Sequence, residues 1–570
     1  MTVRRQVLLL AVACGVAYLT GLRDIDFYTR GEPREGLVVR EILRTGTWLV
    51  PARPEGEVAR KPPLYYWLAS PVLRALPDAP ELALRLPSVA LAIAAVLGTW
   101  AVARAAVGPP VALAAGLVLA TAFEWTRAAT SARVDMALAA PLTAVLAAWM
   151  LVLRGGDRRW IWLAAAGATL ATLAKGPVAL ALPALAAGAL AAWERDPRVL
   201  RRLAVVPVLG IAAAVAGLWY LAAFAEQGRA FFDVVVKENL VRFIDTDDAR
   251  TGHAHGPLYL PIVGLVGLLP WVPLLPLAWT AVRADRARPL RLAAAWSVVT
   301  VVFFSLANAK RSVYLLPAFP AVALLVAAGT TRGDDTWARR LAIAYLPALL
   351  LMAGAGLALA VGLDPGALLR PWLRGDDAHG ATAVAAAARA NGTLVAMVSL
   401  ATIAGAITIE RARRVPDWPG LVQVVAALTV VWTALFDATI HPAISRTRSL
   451  RELMVRVDRL LPPDATLEAA FPTDPGLRFY APRPLVKLSP AGADTPRDLL
   501  LWENEWTQWR DAAGAPLRPL AVSESRQSRR GHLALVRAPP GKLQRVPDSE
   551  RPTTATTPQP SSPPKMGPAD

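Results

Sequence analysis

The chain has 570 residues, 55% of them hydrophobic and 18% charged, with 61 Lys and Arg against 43 Asp and Glu for a net charge of +18. So little charge over such a length excludes an ordinary soluble enzyme, because the apolar residues gather in runs of roughly 17–25, the length that spans a bilayer as helix. The basic excess does not indicate nucleic acid, since many of the arginines stand in short loops between apolar runs; the single cysteine, Cys14, excludes an intramolecular disulfide and a cysteine metal cluster.

In chain order, the apolar periodicity predicts about 13 transmembrane helices, near 6–22, 86–106, 109–124, 135–153, 159–175, 177–193, 203–225, 257–282, 292–307, 312–330, 341–362, 392–409 and 418–440. The first run, Val7 to Leu22 behind Arg4 and Arg5, has the form of a signal peptide as well. We read it as an uncleaved helix, because the loop that follows carries motifs that need a membrane anchor. Lys175, Gly176 and Pro177 break the run between 159 and 193 into two helices. Every second connection is arginine-rich: Arg154, Arg158 and Arg159, then Arg195 to Arg202, Arg283 to Arg291, Arg332 to Arg340, and Arg411 to Arg414. With positive charge inside, the N-terminus is expected in the cytoplasm and the C-terminal segment on the external face.

The chain thus divides into a membrane region, 1–444, an external α/β domain, 445–545, and a tail, 546–570, whose PTTATTPQPSSPPK reads as disordered. In the domain, Leu450–Leu461 reads as helix, and Thr466–Ala470, Leu499–Trp502 and Leu533–Val536 as strands. The tryptophans of LLLWENEWTQWRD read as local core.

Long external loops are expected at 23–84, 226–256 and 363–391. In the first, GEPREGLVVREILRTGTWLVP reads as an amphipathic helix on the membrane surface, with Leu37, Ile42 and Leu43 on its apolar side. Lys61 follows in RKPPLYYWLASP; alone it is a snorkelling lysine beside an aromatic belt. Arg133 and Asp135 stand at the mouth of the fourth span; alone they are an ion pair at a helix end. The loop 226–256 brings Glu238, Asn239, Arg242, His253 and His255, with Tyr259 just beyond, and 308–314 adds Lys310 and Tyr314. His253 and His255 have a spacing that suits a divalent metal, without a third fixed ligand. Five cations from separate loops on one face (Arg34, Lys61, Arg133, Arg242 and Lys310) suit a phosphate-bearing lipid, and the carboxylates beside them suit a base.

The segments GEPREGLVVREILRTGTWLVP, KPPLYYWL, RVDM, AKGP, ENLVRF, HAHGPLYLP with LLPW, and KRSVYLLPAFP occur in an order that resembles the GT-C superfamily of lipid-linked-sugar glycosyltransferases. The nearest branch is the aminoarabinose (lipid A) transferase-like group, related to the protein O-mannosyltransferases. The resemblance covers residues 5–330. It implies transfer of a sugar from a polyprenyl-phosphate donor at the external face of a bacterial inner membrane. The family's first loop carries an acidic pair followed by x-Arg; here Gly31 takes the first acidic place, while Glu32 and Arg34 match. Arg60 stands where the family often has Glu before the lysine of KPP. Lys61, Asp135, Lys175, Glu238, Arg242, His255, Tyr259, Lys310 and Tyr314 match family-like positions.

The expected enzyme therefore moves a hexose or pentose from a polyprenyl phosphate to an envelope lipid or glycan. Glu32 is the first candidate base and Asp135 the second; Arg34, Lys61, Arg133, Arg242 and Lys310 hold the donor phosphate. Two alternatives stand beside it: an O-mannosyltransferase acting on Ser or Thr of proteins, and a lipid or glycan flippase. The flippase is disfavoured because the charges gather at one interface and no inverted repeat is visible.

Overall fold

A computed structural model describes residues 1–545, except 55, 237–254, 285–287, 332–339, 341–342, 369–371, 373–375, 415–416, 470–473, 490–493, 508, 511–514, 516, 528–530 and 542. The 546–570 tail lies outside the described residues. Two compact units emerge, Met1–Ser449 and Leu450–Asp570.

Among the described residues the first unit is mainly helical, with one isolated bridge between Ala52 and Val58. Each predicted apolar run coincides with a helix or a bent pair of helices. Among the described residues seven helices are long and apolar enough to cross a membrane, rising to nine if each bent pair is one span. Those pairs are Pro109–Thr121 with Phe123–Ala129, bent by 66°, and Tyr259–Gly267 with Val272–Arg283, bent by 106°. The runs near 6–22, 159–175, 177–193 and 341–362 become helices of 16 or 17 residues (Val3–Leu19, Trp160–Lys175, Val178–Glu194 and Tyr345–Ala360). That is the lower limit for a crossing, so length alone does not establish thirteen. The break after Lys175 is where the sequence puts it: Gly176 has φ +82°, open to glycine, and Pro177 starts the next helix.

Several side chains hydrogen-bond between helices inside this unit, where burying a polar group without a partner is costly. Tyr18 donates to the Ala120 carbonyl at 2.8 Å, Trp271 Nε1 to Thr121 Oγ1 at 3.1 Å, and Trp296 Nε1 to the Pro317 carbonyl at 2.9 Å. Arg291 pairs with Glu194 at 2.6 Å and Arg288 with Asp196 at 3.0 Å, clamping two helices that are distant in sequence.

The amphipathic helix is real, Gly31–Thr45, closed by Gly46 in the left-handed region. Its buried face differs from the expected one. Val38, Val39 and Ile42 are buried, together with Glu32, Glu35 and Glu41, while Leu37 and Leu43 are half-buried. Glu32 meets Arg85 of another helix there, while Glu35 and Glu41 pair with Arg34 and Arg44 of their own.

The second unit is built on a five-stranded sheet in the order β2-β1-β3-β6-β5, from β1 (Leu467–Ala469), β2 (Leu485–Lys487), β3 (Arg497–Trp502), β5 (Pro519–Gln527) and β6 (Gly531–Ala538), while β4 (Trp509–Arg510) pairs with β7 (Gln544–Arg545) apart from it. β1 pairs in parallel with both β2 and β3, and β6 pairs antiparallel with β3 and β5. All six residues of β3 are buried, as a central strand covered on both faces demands. Helix Arg451–Leu460 buries Leu453, Met454 and Val457. Trp502 is buried; Trp506 and Trp509 pack half-buried against the core.

Candidate functional site

The loop and helix that follow the first span meet the starts of several later spans, and the charges singled out in the sequence gather there. Arg85 anchors the arrangement. It projects from helix Pro80–Val102, is 2% exposed, and lies over the Phe27 ring at 4.9 Å. Its Nη1 donates to the Leu22 and Ile25 carbonyls at 3.2 and 2.6 Å, and its Nε and Nη2 to the two oxygens of Glu32 at 2.8 and 3.2 Å. The Ala132 amide donates to Glu32 as well, at 3.0 Å. Glu32 thus joins the amphipathic helix, the Arg85 helix and the 130–134 turn. Both of its oxygens are occupied by donors that cannot leave without opening the fold.

One turn along the helix, Glu35 takes Arg34 on one oxygen, at 2.7 and 3.1 Å, and the Tyr66 hydroxyl on the other, at 2.6 Å. Burial acts to raise the Glu35 carboxyl, but Arg34, the Tyr66 hydrogen bond and the charge of Arg133 outweigh it and hold it below the ordinary range. Burial, then the negative charge of Glu35, pushes the Tyr66 phenol well up, so it stays a donor.

Asp135 begins helix Asp135–Leu153, where the helix dipole favours an anion, and Lys175 ends helix Trp160–Lys175, where it favours a cation. The two ends meet: Lys175 Nζ lies 2.7 Å from one Asp135 oxygen, and Arg133 Nε 3.0 Å from the other. Lys175 also lies over the Tyr314 ring at 4.8 Å. One carboxylate therefore serves two cations. The Arg133 guanidinium reaches on to Gly31, where a Cβ would sit 2.5 Å from Nη1. The space that an acidic side chain at position 31 would take is filled by this guanidinium.

Lys310 is 5% exposed, and among the described residues its ammonium donates to the His255 carbonyl at 2.8 Å and meets no carboxylate. A charge so buried with a neutral partner is costly unless an anion joins it. The His255 ring stacks on Tyr259, with centroids 3.9 Å apart at 8°. It is the backbone of His255 that meets the lysine. Lys61 is half-buried just ahead of helix Leu64–Ala75.

The structure therefore brings together Glu32, Arg34, Arg133, Asp135, Lys175 and Tyr314, and separately Lys310 with His255 and Tyr259. Glu238, Asn239, Arg242 and His253 lie outside the described residues. Among the described residues no group of three or more metal-binding side chains occurs. Sequence reasoning gave no role to Arg85, Glu35, Tyr66 or the Glu124–Arg127 pair, whose oxygens and nitrogens meet at 2.5 and 2.8 Å. Arg85 had a readable signal, a lone arginine inside the apolar stretch PELALRLPSVALAIAAV, which the expected span began one residue too late to include.

Comparison with known proteins agrees with the motif order. The dolichyl-phosphate-mannose-protein mannosyltransferase family matches residues 60–220. An uncharacterized protein of Aquifex aeolicus is 26% identical over 325 residues, 56% of this chain and 63% of that one. The undecaprenyl phosphate-alpha-4-amino-4-deoxy-L-arabinose arabinosyl transferase of Pectobacterium carotovorum is 28% identical over 324 residues, 56% of this chain and 57% of that one. The chain thus spans less than two thirds of the length of these relatives. Among solved structures, ArnT from Cupriavidus metallidurans bound to undecaprenyl phosphate superposes with a TM-score of 0.76 at 19% identity, over 94% of this chain and 98% of that one. The chain shares the fold of this ArnT, membrane helices followed by a small strand-bearing unit, and the resemblance read from the motifs is borne out.

Proposed function

We propose that this chain is a membrane glycosyltransferase that moves a sugar from a polyprenyl phosphate to a phosphate-bearing lipid of the bacterial envelope. The observation that carries the reading is the surplus of cations over carboxylates among the described residues: half-buried Arg133 and Lys175 share Asp135, and buried Lys310 has a neutral carbonyl. Breaking a glycosyl phosphate bond gathers negative charge on the leaving phosphate, and pre-placed cations stabilise that charge most where it is largest, in the transition state. Arg34, Lys61, Arg133, Lys310 and, from the loop outside the described residues, Arg242 would hold the donor phosphate.

The acceptor follows from the carboxylates. Glu32 is held by Arg85 and an amide, Glu35 by Arg34 and Tyr66, and Asp135 by Arg133 and Lys175. A hydroxyl acceptor needs a carboxylate that is available to take its proton; a phosphate acceptor is already an anionic nucleophile and, where it still carries a proton, yields it to a weaker base. The named relative acts on an undecaprenyl phosphate-linked aminoarabinose, which fits the donor class. The second reading, transfer to Ser or Thr of a protein, rests on the match of residues 60–220 to the protein mannosyltransferases. The arginine-rich connections support an N-terminus in the cytoplasm, with the site and the C-terminal unit on the external side.

The test is transfer of labelled sugar from a polyprenyl phosphate in membranes containing the full chain, wild type against Lys61→Ala. Label entering a lipid fraction, and lost in the variant, is the expected result. Label entering protein would establish the second reading, and no transfer from any donor by folded protein would overturn both. In the same assay Gly31→Ala is expected to cost roughly tenfold or more in rate while leaving the melting temperature near wild type. The added methyl displaces only the end of the Arg133 side chain, and a charged hydrogen bond contributes roughly 1.5–3 kcal/mol.

A further inference from the structure

A further set of polar groups lies at the end of the last long helix. Helix Trp418–Leu435 runs into a π-turn, Phe436–Ile440, and then into helix His441–Arg448. Such π-turns often mark functional positions. Here the turn presses on the first loop: Gly21 has φ +67°, and a Cβ on it would collide with the Asp437 carbonyl oxygen. Ser445 accepts from the Asp26 amide at 3.1 Å. Between these contacts lies a chain of three side chains. Asp437 Oδ1 is 2.8 Å from His441 Nδ1, and His441 Nε2 is 3.0 Å from the Tyr28 hydroxyl. Asp437 is 8% exposed.

This is a base oriented by a carboxylate, with a hydroxyl in front of it. Asp437 favours the tautomer with the proton on Nδ1, which leaves Nε2 to accept from Tyr28. Tyr28 stands three residues before Gly31, the place where Arg133 meets the amphipathic helix. The carboxylates of the cation cluster all carry arginine or lysine; the Asp437–His441 pair, among the described residues, carries none.

We propose that Tyr28, His441 and Asp437 form the proton relay of the transfer reaction, with Tyr28 meeting the acceptor, His441 taking the proton and Asp437 positioning the imidazole. The inference rests on the function proposed above and adds the group that removes the acceptor's proton. A phosphate monoester near pH 6 is about half in the form that retains one proton. As its oxygen forms the new bond to the anomeric carbon, the bond from that carbon to the polyprenyl phosphate breaks, and the electron pair leaves with the polyprenyl phosphate. The acceptor's proton passes to the Tyr28 oxygen while the Tyr28 hydroxyl proton passes to His441 Nε2. The imidazolium so formed stands beside the Asp437 carboxylate.

The surrounding charges are consistent with a phenol that stays protonated until it relays. Burial, then the negative charge of Glu32, raises Tyr28, against smaller opposing effects of Arg85, Arg448 and Arg127. Helix Asp376–Ala390 packs on the same turn; its Arg389 is turned back to its own Ala385 carbonyl at 3.3 Å, and its sequence also holds Asp376, Asp377 and His379.

The experiment compares wild type, Tyr28→Phe and His441→Gln as full-length protein at pH 6. Both variants are expected to lose about 100-fold in kcat, the lower end for a positioned proton-transfer group, with unchanged KM for the polyprenyl-phosphate sugar and without the wild type's solvent deuterium isotope effect. Wild-type kcat and isotope effect in variants of native melting temperature would overturn the relay, as would a loss confined to stability or donor KM. Nitrogen-15 spectra of histidine-labelled protein, which has five histidines, give a readout independent of transfer. The resonance absent from His441→Gln is expected to report a protonated Nδ1 and an accepting Nε2. A protonated Nε2 in the neutral ring overturns the relay even where no transfer is seen, whereas absent transfer with the expected tautomer counts against the proposed function alone.

Discussion

Glu32→Ala is expected to cost about 3–5 kcal/mol of stability, the range for removing one partner of a buried ion pair. The reason is what it leaves behind. Arg85 is 2% exposed, and the change takes away the carboxylate oxygens that its Nε and Nη2 meet at 2.8 and 3.2 Å, so a buried charge loses its closest compensation. The Ala132 amide would lose its acceptor too. Thermal unfolding in detergent measures the loss. Replacing both partners, Glu32→Gln with Arg85→Met, is expected to recover much of it, because no uncompensated charge remains. This result bears on mechanism as well as on stability. If Glu32→Ala folds with native stability and loses only kcat, then Glu32 is the base that its position in the sequence first suggests, and its bonds to Arg85 must open during turnover.

Lys310→Met is expected to act in the opposite way, sparing the fold and removing activity. Its ammonium gains little for the unliganded protein, because it is buried with a neutral carbonyl at 2.8 Å. An apolar side chain of similar length satisfies the same space without the desolvation cost. Under the proposed function the balance reverses in the transition state, since the ammonium would then face the charge that develops on the departing phosphate. Loss of one such group costs about 100- to 1000-fold in rate, so kcat/KM should fall by that factor while the melting temperature stays level or rises. Lys310→Arg should recover part of the rate, because the charge returns with a different shape. Wild-type kcat/KM in a stable Lys310→Met protein would remove this lysine from the reaction and with it a main support of the proposed function.

The sequence by itself determined the membrane helices, because lipid imposes a rule that is local. A span must satisfy its own backbone and stay apolar for its whole length, so each run, and the Gly176–Pro177 break, is written in consecutive residues. It also determined which charges to examine, since Arg133, Asp135, Lys175 and Lys310 stand where charge is expensive, and the order of the motifs around them pointed to the fold that the comparisons share. The helix Arg451–Leu460 and strands β1, β3 and β6 of the C-terminal unit were legible for the same local reason, but β2, β5 and the order β2-β1-β3-β6-β5 were not, because strand pairing across a crossover leaves no mark in either strand. Tertiary structure alone decided what the charges do. Glu32 read as a base until Arg85, 53 residues away, took its oxygens. Gly31 read as a missing acid until Arg133 was found in its space. Tyr28 and His441 had no reading together, being 413 residues apart. A carboxylate or an imidazole acquires its role from the donor that reaches it, and that donor comes from whichever helix the packing brings alongside.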